Sequence, residues 1–512
     1  LKSTAVEMHA APVENRALLV VAIMLATLMQ VIDNTIANVA LPHMQGSLSA
    51  SQDQISWVLT SYMVATAIAI PATGWLVTVL GRKQLLLISI GGFTAASLLC
   101  AMASNISEIV IYRVLQGICG AALLPMSQSA LLDAYPREKH GSAMAVWGIG
   151  LMVGPILGPP LGGWLTENYS WHWVFLINLP VGLLAWLGVA AAVPAGEHHQ
   201  RRFDTIGFLL MAAGIGALQL LLDRGQQNDW FESTETIVEA VVAGLGMYLY
   251  WVHWRVARHP FVNLGLLRDR NYAVATFFIF MIGVVIFATM ALLPPYMGTL
   301  MNYPVIDIGV LMVPRGLGTM AAMFIAGKWL ENDRDPRPPI LAGIAFTVCS
   351  LYQMSHFSAD VPAAQFVSSG ILQGLGVGLI FVPVSTTAYS TLAPAVRTEA
   401  AAMFSLMRNV GSSAGISLAI TLLVRATQIN HAEIAARLTP FDRTETWPAL
   451  WAIHSSGGLV ALNAEVTRQA AAIGFLNDFW LMMWAMLATL PLAFLFRPVR
   501  RAAANAPVAT AA

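Results

Sequence analysis

Apolar runs long enough to cross a membrane, joined by short polar connections, recur along almost the whole chain. Crossing a hydrocarbon core of about 30 Å takes about 17 to 25 helical residues. Fourteen stretches reach that length: 17–39, 54–76, 84–103, 107–131, 142–166, 173–193, 205–223, 237–254, 272–297, 305–327, 339–356, 364–391, 400–424 and 478–497. A backbone in lipid must satisfy its own hydrogen bonds, and a helix does so within one segment. The expected fold class is therefore an all-α polytopic membrane protein with fourteen transmembrane helices, numbered here as spans 1 to 14. One connection is long. Residues 425–477 hold two amphipathic stretches, QINHAEIAARL (428–438) and LVALNAEVTRQAAAIGFL (459–476), around the loop-like TPFDRTETWP (439–448).

Charge placement sets the orientation. Connections on the side of the N-terminus carry Arg82, Lys83, Arg137, Lys139, Arg201, Arg202, Arg255, Arg258, Arg268, Arg270, Lys328, Arg334, Arg337 and Arg397, whereas the short connections opposite carry only Arg224. The positive-inside bias puts both ends in the cytoplasm, with Arg497, Arg500 and Arg501 just inside the last span. Asp33 and Asn34 interrupt the first run and no small-residue cleavage site follows, so it reads as a retained span and not a signal peptide. Overall composition agrees: 57% hydrophobic and 11% charged residues, with a mean hydropathy of +0.67, lie well outside the range of soluble domains. The net charge of zero gives no pointer to nucleic acid. Cys100, Cys119 and Cys349 all fall in apolar stretches and offer neither a disulfide framework nor metal-ligand spacing. There is no HExxH or GxxxxGK[ST], and His198–His199 stands alone in a connection. An enzyme, a metal centre, a bound cofactor and ATP drive are all unexpected.

Span 5 contains GLMVGPILGPPLGG, in which Gly150, Gly154, Gly158 and Gly162 recur every four residues among Pro155, Pro159 and Pro160. Four-residue spacing keeps the glycines near one helix face, where a second backbone comes close. The run fits either a tight helix contact or a conformational pivot. A repeat enlarges the picture: a shift of 257 residues lays Gln116-Gly117 on Gln373-Gly374, Gly154 on Gly411 and Gly158 on Gly415. QGICGAALLPMS (116–127) and QGLGVGLIFVPVS (373–385) also share a proline and a serine, with one residue of slippage. Spans 1–6 and 9–14 thus read as two halves with spans 7 and 8 inserted, an architecture in which two bundles rock about a midplane site. The expected organisation is a six-helix bundle over 17–193, inserted helices and linkers over 194–271, and a second bundle over 272–497 that includes the extracytoplasmic loop 425–477. The glycine run and its echo are expected at the seam between the halves.

These residues resemble the major facilitator superfamily, in particular its fourteen-helix drug:H+ antiporter branch and the EmrB-like proteins. LATLMQVIDNTIANVALP (25–42) is similar to the branch's first-helix motif with Asp33 as its acid. GWLVTVLGRK (74–83) resembles the signature loop, with Gly74, Gly81, Arg82 and Lys83 in place, and IYRVLQGICGAA (111–122) the fourth-helix motif with Arg113. The glycine run resembles the fifth-helix motif associated with antiporters. WHWVFLINLPVG (171–182), LDRGQQNDWF (222–231) and MFSLMRNVGSSAGISL (403–418) match in order and position, so the likeness covers nearly the whole chain. One departure is Thr78, where the signature loop usually has aspartate; the second copy, GKWLENDRDPR (327–337), offers Glu331 instead.

The resemblance implies a major facilitator fold of 6+2+6 helices in the bacterial inner membrane. The function it implies is proton-driven antiport that exports hydrophobic or amphipathic drugs by alternating access, as in multidrug efflux and antibiotic resistance. The same likeness implies a tripartite pump with a periplasmic adaptor of the EmrA type and a TolC-like outer-membrane channel; 425–477 is the expected docking segment, with a lid as the alternative. A proton-coupled symporter for a small organic solute is the rival function, because direction is set by coupling and not by fold.

Four charges lie deep in spans: Asp33, Arg113, Arg315 and Arg408. Each costs about 2.5–3.5 kcal/mol at a helix centre. Asp33 and Arg113 both lie roughly 9 Å from the outer ends of their spans, so a pair is expected. A carboxylate that alternately meets and loses a guanidinium alternates between proton release and capture. Asp33 is thus the candidate proton-coupling group and Arg113 its modulator, with a purely structural pair as the alternative. Arg315 and Arg408, roughly 14 Å deep, have no obvious acid at their level, since Asp307 is nearer the outer end. They leave either a positively charged cavity suited to weak acids or fatty acids, or guanidinium groups bonded to helix carbonyls. Gln30, Asn34 and Asn38 on span 1 and Asn178 on span 6 are weaker candidates for hydrating or hydrogen-bonding the proton path, and Gln30, Asn34 and Asn178 for lining the substrate cavity, with interhelical bonding as the alternative. Trp57, Tyr62, Trp171 and Trp173 read as an interfacial belt.

Overall fold

A computed structural model describes residues 16–194, 202–258, 260–331, 334–358, 361–438 and 456–497, and every regular element among them is helical. Arg201, His198, His199, Arg500, Arg501 and the stretch 439–448 lie outside the described residues. Twelve helices are long and apolar enough to cross a membrane, and Asp53–Ala69 with Ala72–Leu80, bent by 60°, makes a thirteenth crossing as span 2. Span 11, Arg337–Met354, completes the fourteen; its short helix has Arg337 and Gln353 at its ends.

Proline sets the breaks, because it lacks an N–H and clashes with the carbonyl four residues earlier. Span 2 turns at Pro71. Span 4 divides into Ile106–Gly120 and Leu123–Ala134 ahead of Pro125, and span 6 into Trp173–Leu176 and Asn178–Ala192 ahead of Pro180. Span 9, Arg270–Pro295, runs through Pro294 and Pro295 into the π-helical turn Tyr296–Leu300. Span 5, in contrast, stays one helix over His140–Asn168 despite three internal prolines. The remaining crossings are span 1, Arg16–Ser47; span 3, Arg82–Ala101; span 7, Thr205–Arg224; span 8, Thr234–Val256; span 10, Val305–Leu330; and span 12, Ala363–Ser390.

Spans 13 and 14 depart from the expected lengths. Arg397–Arg437 has 41 residues, which at 1.5 Å each is about 60 Å, twice a hydrocarbon core. It faces Ser456–Leu487 of span 14, with a His431–Asn463 hydrogen bond of 3.0 Å and Gly474 against Leu423 and Thr427. The described parts of 425–477 are therefore continuations of the two spans, forming a helical hairpin beyond the membrane.

Helix packing repeats with the sequence. Span 1 packs on span 5, 2 on 4, 3 on 4 and 3 on 6; in the second half 9 packs on 13, 10 on 12, 11 on 12 and 11 on 14. The halves meet where span 5 lies along span 10. Inserted spans 7 and 8 pack on each other and bridge spans 2 and 13, where Met211, Ile215 and Tyr250 cluster with Ala67, Ile70, Ala402 and Leu406.

Span 5 lies at the seam, along span 10, as expected, but its glycine run points elsewhere. Its four glycines face span 1 of their own half and not the seam. A Cβ at Gly150 would fall 1.8 Å from Met24 Cε, at Gly154 2.4 Å from Val31 Cγ1, at Gly158 2.1 Å from Thr35 Oγ1 and at Gly162 2.8 Å from Ile36 Cγ1. Thr35 Oγ1 also donates to the Gly154 carbonyl at 3.1 Å. Gly411 and Gly415 repeat this on span 9, against Phe280 and Val284. Single-face spacing fixes one close partner for each run, and that partner is the first helix of the same half. A different set on span 5, Gly141 and Gly148, meets Gly327 and Met323 of span 10 at the seam.

On the side of the membrane where Arg16 and Arg497 lie, called here the terminal side, the halves are bonded together. Asp133 accepts from Arg82 at 2.6 Å and from Arg397 of the other half at 2.8 Å. Tyr389 donates to Gln128 at 3.1 Å, Thr398 to Ser129 at 3.3 Å, and Ser142 to Glu331. Glu331 thus reaches across the seam, while Thr78 spends its hydroxyl on the Trp75 carbonyl of its own helix at 2.7 Å.

Candidate functional site

Asp33 sits in the middle of span 1, fully buried, and spans 3, 4 and 6 deliver its partners. Arg113 Nη1 donates to Asp33 Oδ2 at 2.7 Å and to Gln116 Oε1 at 2.7 Å. Oδ1 accepts from Gln116 Nε2 at 2.9 Å and from Asn178 Nδ2 at 2.7 Å. Ser97 closes the cage: it accepts from Gln116 at 3.1 Å and Asn178 at 2.8 Å and donates to the Phe175 carbonyl at 3.1 Å. Span 2 contributes the Val58 carbonyl, 3.0 Å from Arg113 Nε, and the Tyr62 ring, whose centroid is 4.2 Å from the guanidinium carbon. A dry ion pair is tolerable only when its remaining hydrogen-bonding capacity is matched, and here four helices match it. Two of the three donors on Asp33 belong to amides, which can turn an oxygen toward the acid if Asp33 takes a proton.

The structure brings Asp33, Arg113 and Asn178 together and leaves the other span 1 candidates apart. Gln30 is buried with its Oε1 unpaired, and Asn34 is half-buried. Asn38 is exposed, donating to the Asn34 carbonyl at 3.2 Å. Sequence reasoning passed over Gln116 and Ser97 as site residues. A signal for Gln116 was present, because it follows Arg113 by three residues and so shares its helix face. Tyr62 and Trp171 correct the belt assignment: both are buried, Tyr62 against Arg113 and Trp171 stacked on His172. A fifth embedded charge was missed as well. Asp478, 4% exposed on span 14, has no hydrogen-bond or ionic partner among the described residues. It lies at the start of the apolar run but well inside the longer helix.

In the second half, Arg315 is buried, its Nη2 donating to the Ile286 carbonyl at 3.2 Å while Nη1 has no partner. Arg408 is half-buried on span 13 and forms no ion pair among the described residues. Of the signature-loop residues, Gly74 meets the other half, where a Cβ would lie 3.1 Å from Glu399 Cβ, whereas Arg82 reaches Asp133 of its own half. Gly81 links spans 2 and 3 with φ 76° and ψ 160°, a conformation essentially confined to glycine. Lys83 is half-buried in the first turn of span 3.

The chain finds its match among known sequences. Residues 23–416 match the Major Facilitator Superfamily. The chain belongs to that superfamily. Multidrug export protein EmrB of Escherichia coli (strain K12) is 32% identical over 497 residues, covering 95% of this chain and 97% of that protein. Fatty acid resistance protein FarB of Neisseria gonorrhoeae is 34% identical over 491 residues, covering 93% and 94%. The human organic anion transporter MFSD10 (TETRAN) shares the fold, with a TM-score of 0.57 at 11% identity over 92% of this chain and 99% of that one. The protein is thus a multi-span membrane member of the superfamily, with multidrug export proteins among its relatives.

Proposed function

We propose that the protein is a proton-driven antiporter that exports hydrophobic or amphipathic compounds, weak acids or fatty acids among them, from the bacterial inner membrane. The observation that carries this reading is the Asp33 cage: a carboxylate on one helix whose counter-charge and amide donors come from two others, spans 4 and 6, so that a change in helix packing changes what holds it. The proton is the coupling ion. With Arg113 engaged, Asp33 is an ionised acceptor; with Arg113 withdrawn, it takes a proton and the two amides accept or donate accordingly. The terminal side is taken as cytoplasmic from its Arg and Lys content. The bonds at Asp133, Gln128, Ser129 and Glu331 then close the cytoplasmic side. Export is favoured over uptake by relatives named for multidrug export and fatty acid resistance. The hairpin built on spans 13 and 14 supports an assembly role, in which an adaptor of the EmrA type docks there and leads to a TolC-like channel. Everted vesicles test the transport reading: a pH gradient should drive substrate accumulation that collapses when the gradient is dissipated, and accumulation indifferent to the gradient would refute it.

A further inference from the structure

The repeat that lays Gln116 on Gln373 also lays Arg113 on Gly370 and Asp33 on Met290. The second half therefore lacks both members of the ion pair at their repeat positions. Its guanidinium stands elsewhere. Arg315 occupies the repeat position of Val58, the residue whose carbonyl holds Arg113 in the first half. Gly370 lies beside it, where a Cβ would be in ordinary contact at 3.5 Å from Arg315 Cβ, and Gly374 is what lets span 12 approach the Arg315 carbonyl. The second half has thus kept a buried cation near the midplane and lost the carboxylate that balances it in the first.

What surrounds Arg315 is incomplete in a particular way. The residue is 8% exposed, Nη2 has the Ile286 carbonyl, and Nη1 is buried without an acceptor. On the same stretch of span 12, Gln373 donates to Thr289 at 3.0 Å and its Oε1 is also unpaired. Arg113, by comparison, has the Val58 carbonyl, Asp33 and Gln116. A buried donor without an acceptor costs free energy that a charge-assisted bond to an oxyanion recovers. Arg408 on span 13 is likewise without an ion-pair partner among the described residues.

We propose that Arg315 is the head-group site for exported carboxylic acids: the ligand's carboxylate accepts from Nη1 and takes, in the second half, the place that the Asp33 carboxylate has in the first. This rests on the exporter reading above and adds to it the residue that distinguishes an acid from a neutral or cationic amphiphile of equal length. Binding of decanoate, decanol and decylamine to the purified full chain in lipid nanodiscs tests it. Wild type should bind decanoate about tenfold more tightly than decanol, the scale of one buried hydrogen bond to a charged group, and decylamine least tightly. Arg315→Gln should erase the preference for decanoate while leaving decanol unchanged, and Arg315→Lys, which keeps the charge but loses the planar fork, should fall between. Equal binding of decanoate and decanol by wild type, or an undiminished preference in a folded Arg315→Gln protein, overturns the head-group site alone. Binding of none of the three probes to wild type overturns the exporter reading and the site with it. The wild-type comparison stands even if a variant fails to fold.

Discussion

Replacing Asp133 with asparagine should loosen the terminal side without touching the Asp33 cage. Asp133 is 20% exposed and serves two arginines, Arg82 at 30% and Arg397 at 7% exposure, from two different halves. An exposed ion pair contributes about 0–1 kcal/mol, and removing one partner of a fully buried pair costs about 3–5 kcal/mol. Arg397 is buried and Asp133 partly so, which after discounting for solvent puts Asp133→Asn at about 1–3 kcal/mol against the closed arrangement. The ratio of closed to open molecules then falls about 5- to 150-fold. Cross-linking reads this directly, because Ser129 Oγ and Thr398 Oγ1 face each other across the seam at 3.3 Å. In a background without Cys100, Cys119 and Cys349, a Ser129→Cys/Thr398→Cys pair should form its disulfide readily, and adding Asp133→Asn should slow it by at least about fivefold. An unchanged cross-linking rate would refute the claim that this carboxylate holds the halves together.

Two further outcomes are expected. Gly154→Val and Gly158→Val would drive side chains into Val31 and Thr35, an overpacking of about 1–3 kcal/mol each; both variants should insert into the membrane, melt at lower temperature than wild type and lose transport, and normal transport by either would dismiss the need for close packing of spans 1 and 5. Deleting 430–470 removes the projecting hairpin while keeping the membrane-embedded parts of spans 13 and 14, so the protein should stay in the membrane but no longer co-purify with the proposed adaptor of the EmrA type; retained co-purification would remove the docking role.

Much of the architecture was legible because lipid leaves the backbone few options. Run length marked the crossings, and the 257-residue repeat divided them into two halves, within which span 9 packs on span 13 as span 1 packs on span 5. Asp33, Arg113 and Asn178 could be proposed together since equal depth on different helices is readable from residue counts. Rotation about each helix axis is not readable in that way. This is why Gln30, Asn34 and Asn38, on the same helix as Asp33, were grouped with it although none of them joins its cage, and why Tyr62 passed for an interfacial residue. The glycine run told that a backbone comes close but not whose, and its partner proved to be span 1. Asp478 was hidden by hydropathy, because the helix of span 14 starts at Ser456, in a polar stretch that an apolar window does not count.

Whether Asp33 carries the coupled proton is decided by comparing two modes of transport in proteoliposomes containing wild type or Asp33→Asn. Asparagine nearly preserves the shape of the cage and removes the titratable group. Asp33→Asn should abolish transport driven by a pH gradient while retaining exchange of substrate for substrate at equal pH. Gradient-driven transport at the wild-type rate by Asp33→Asn would contradict that role.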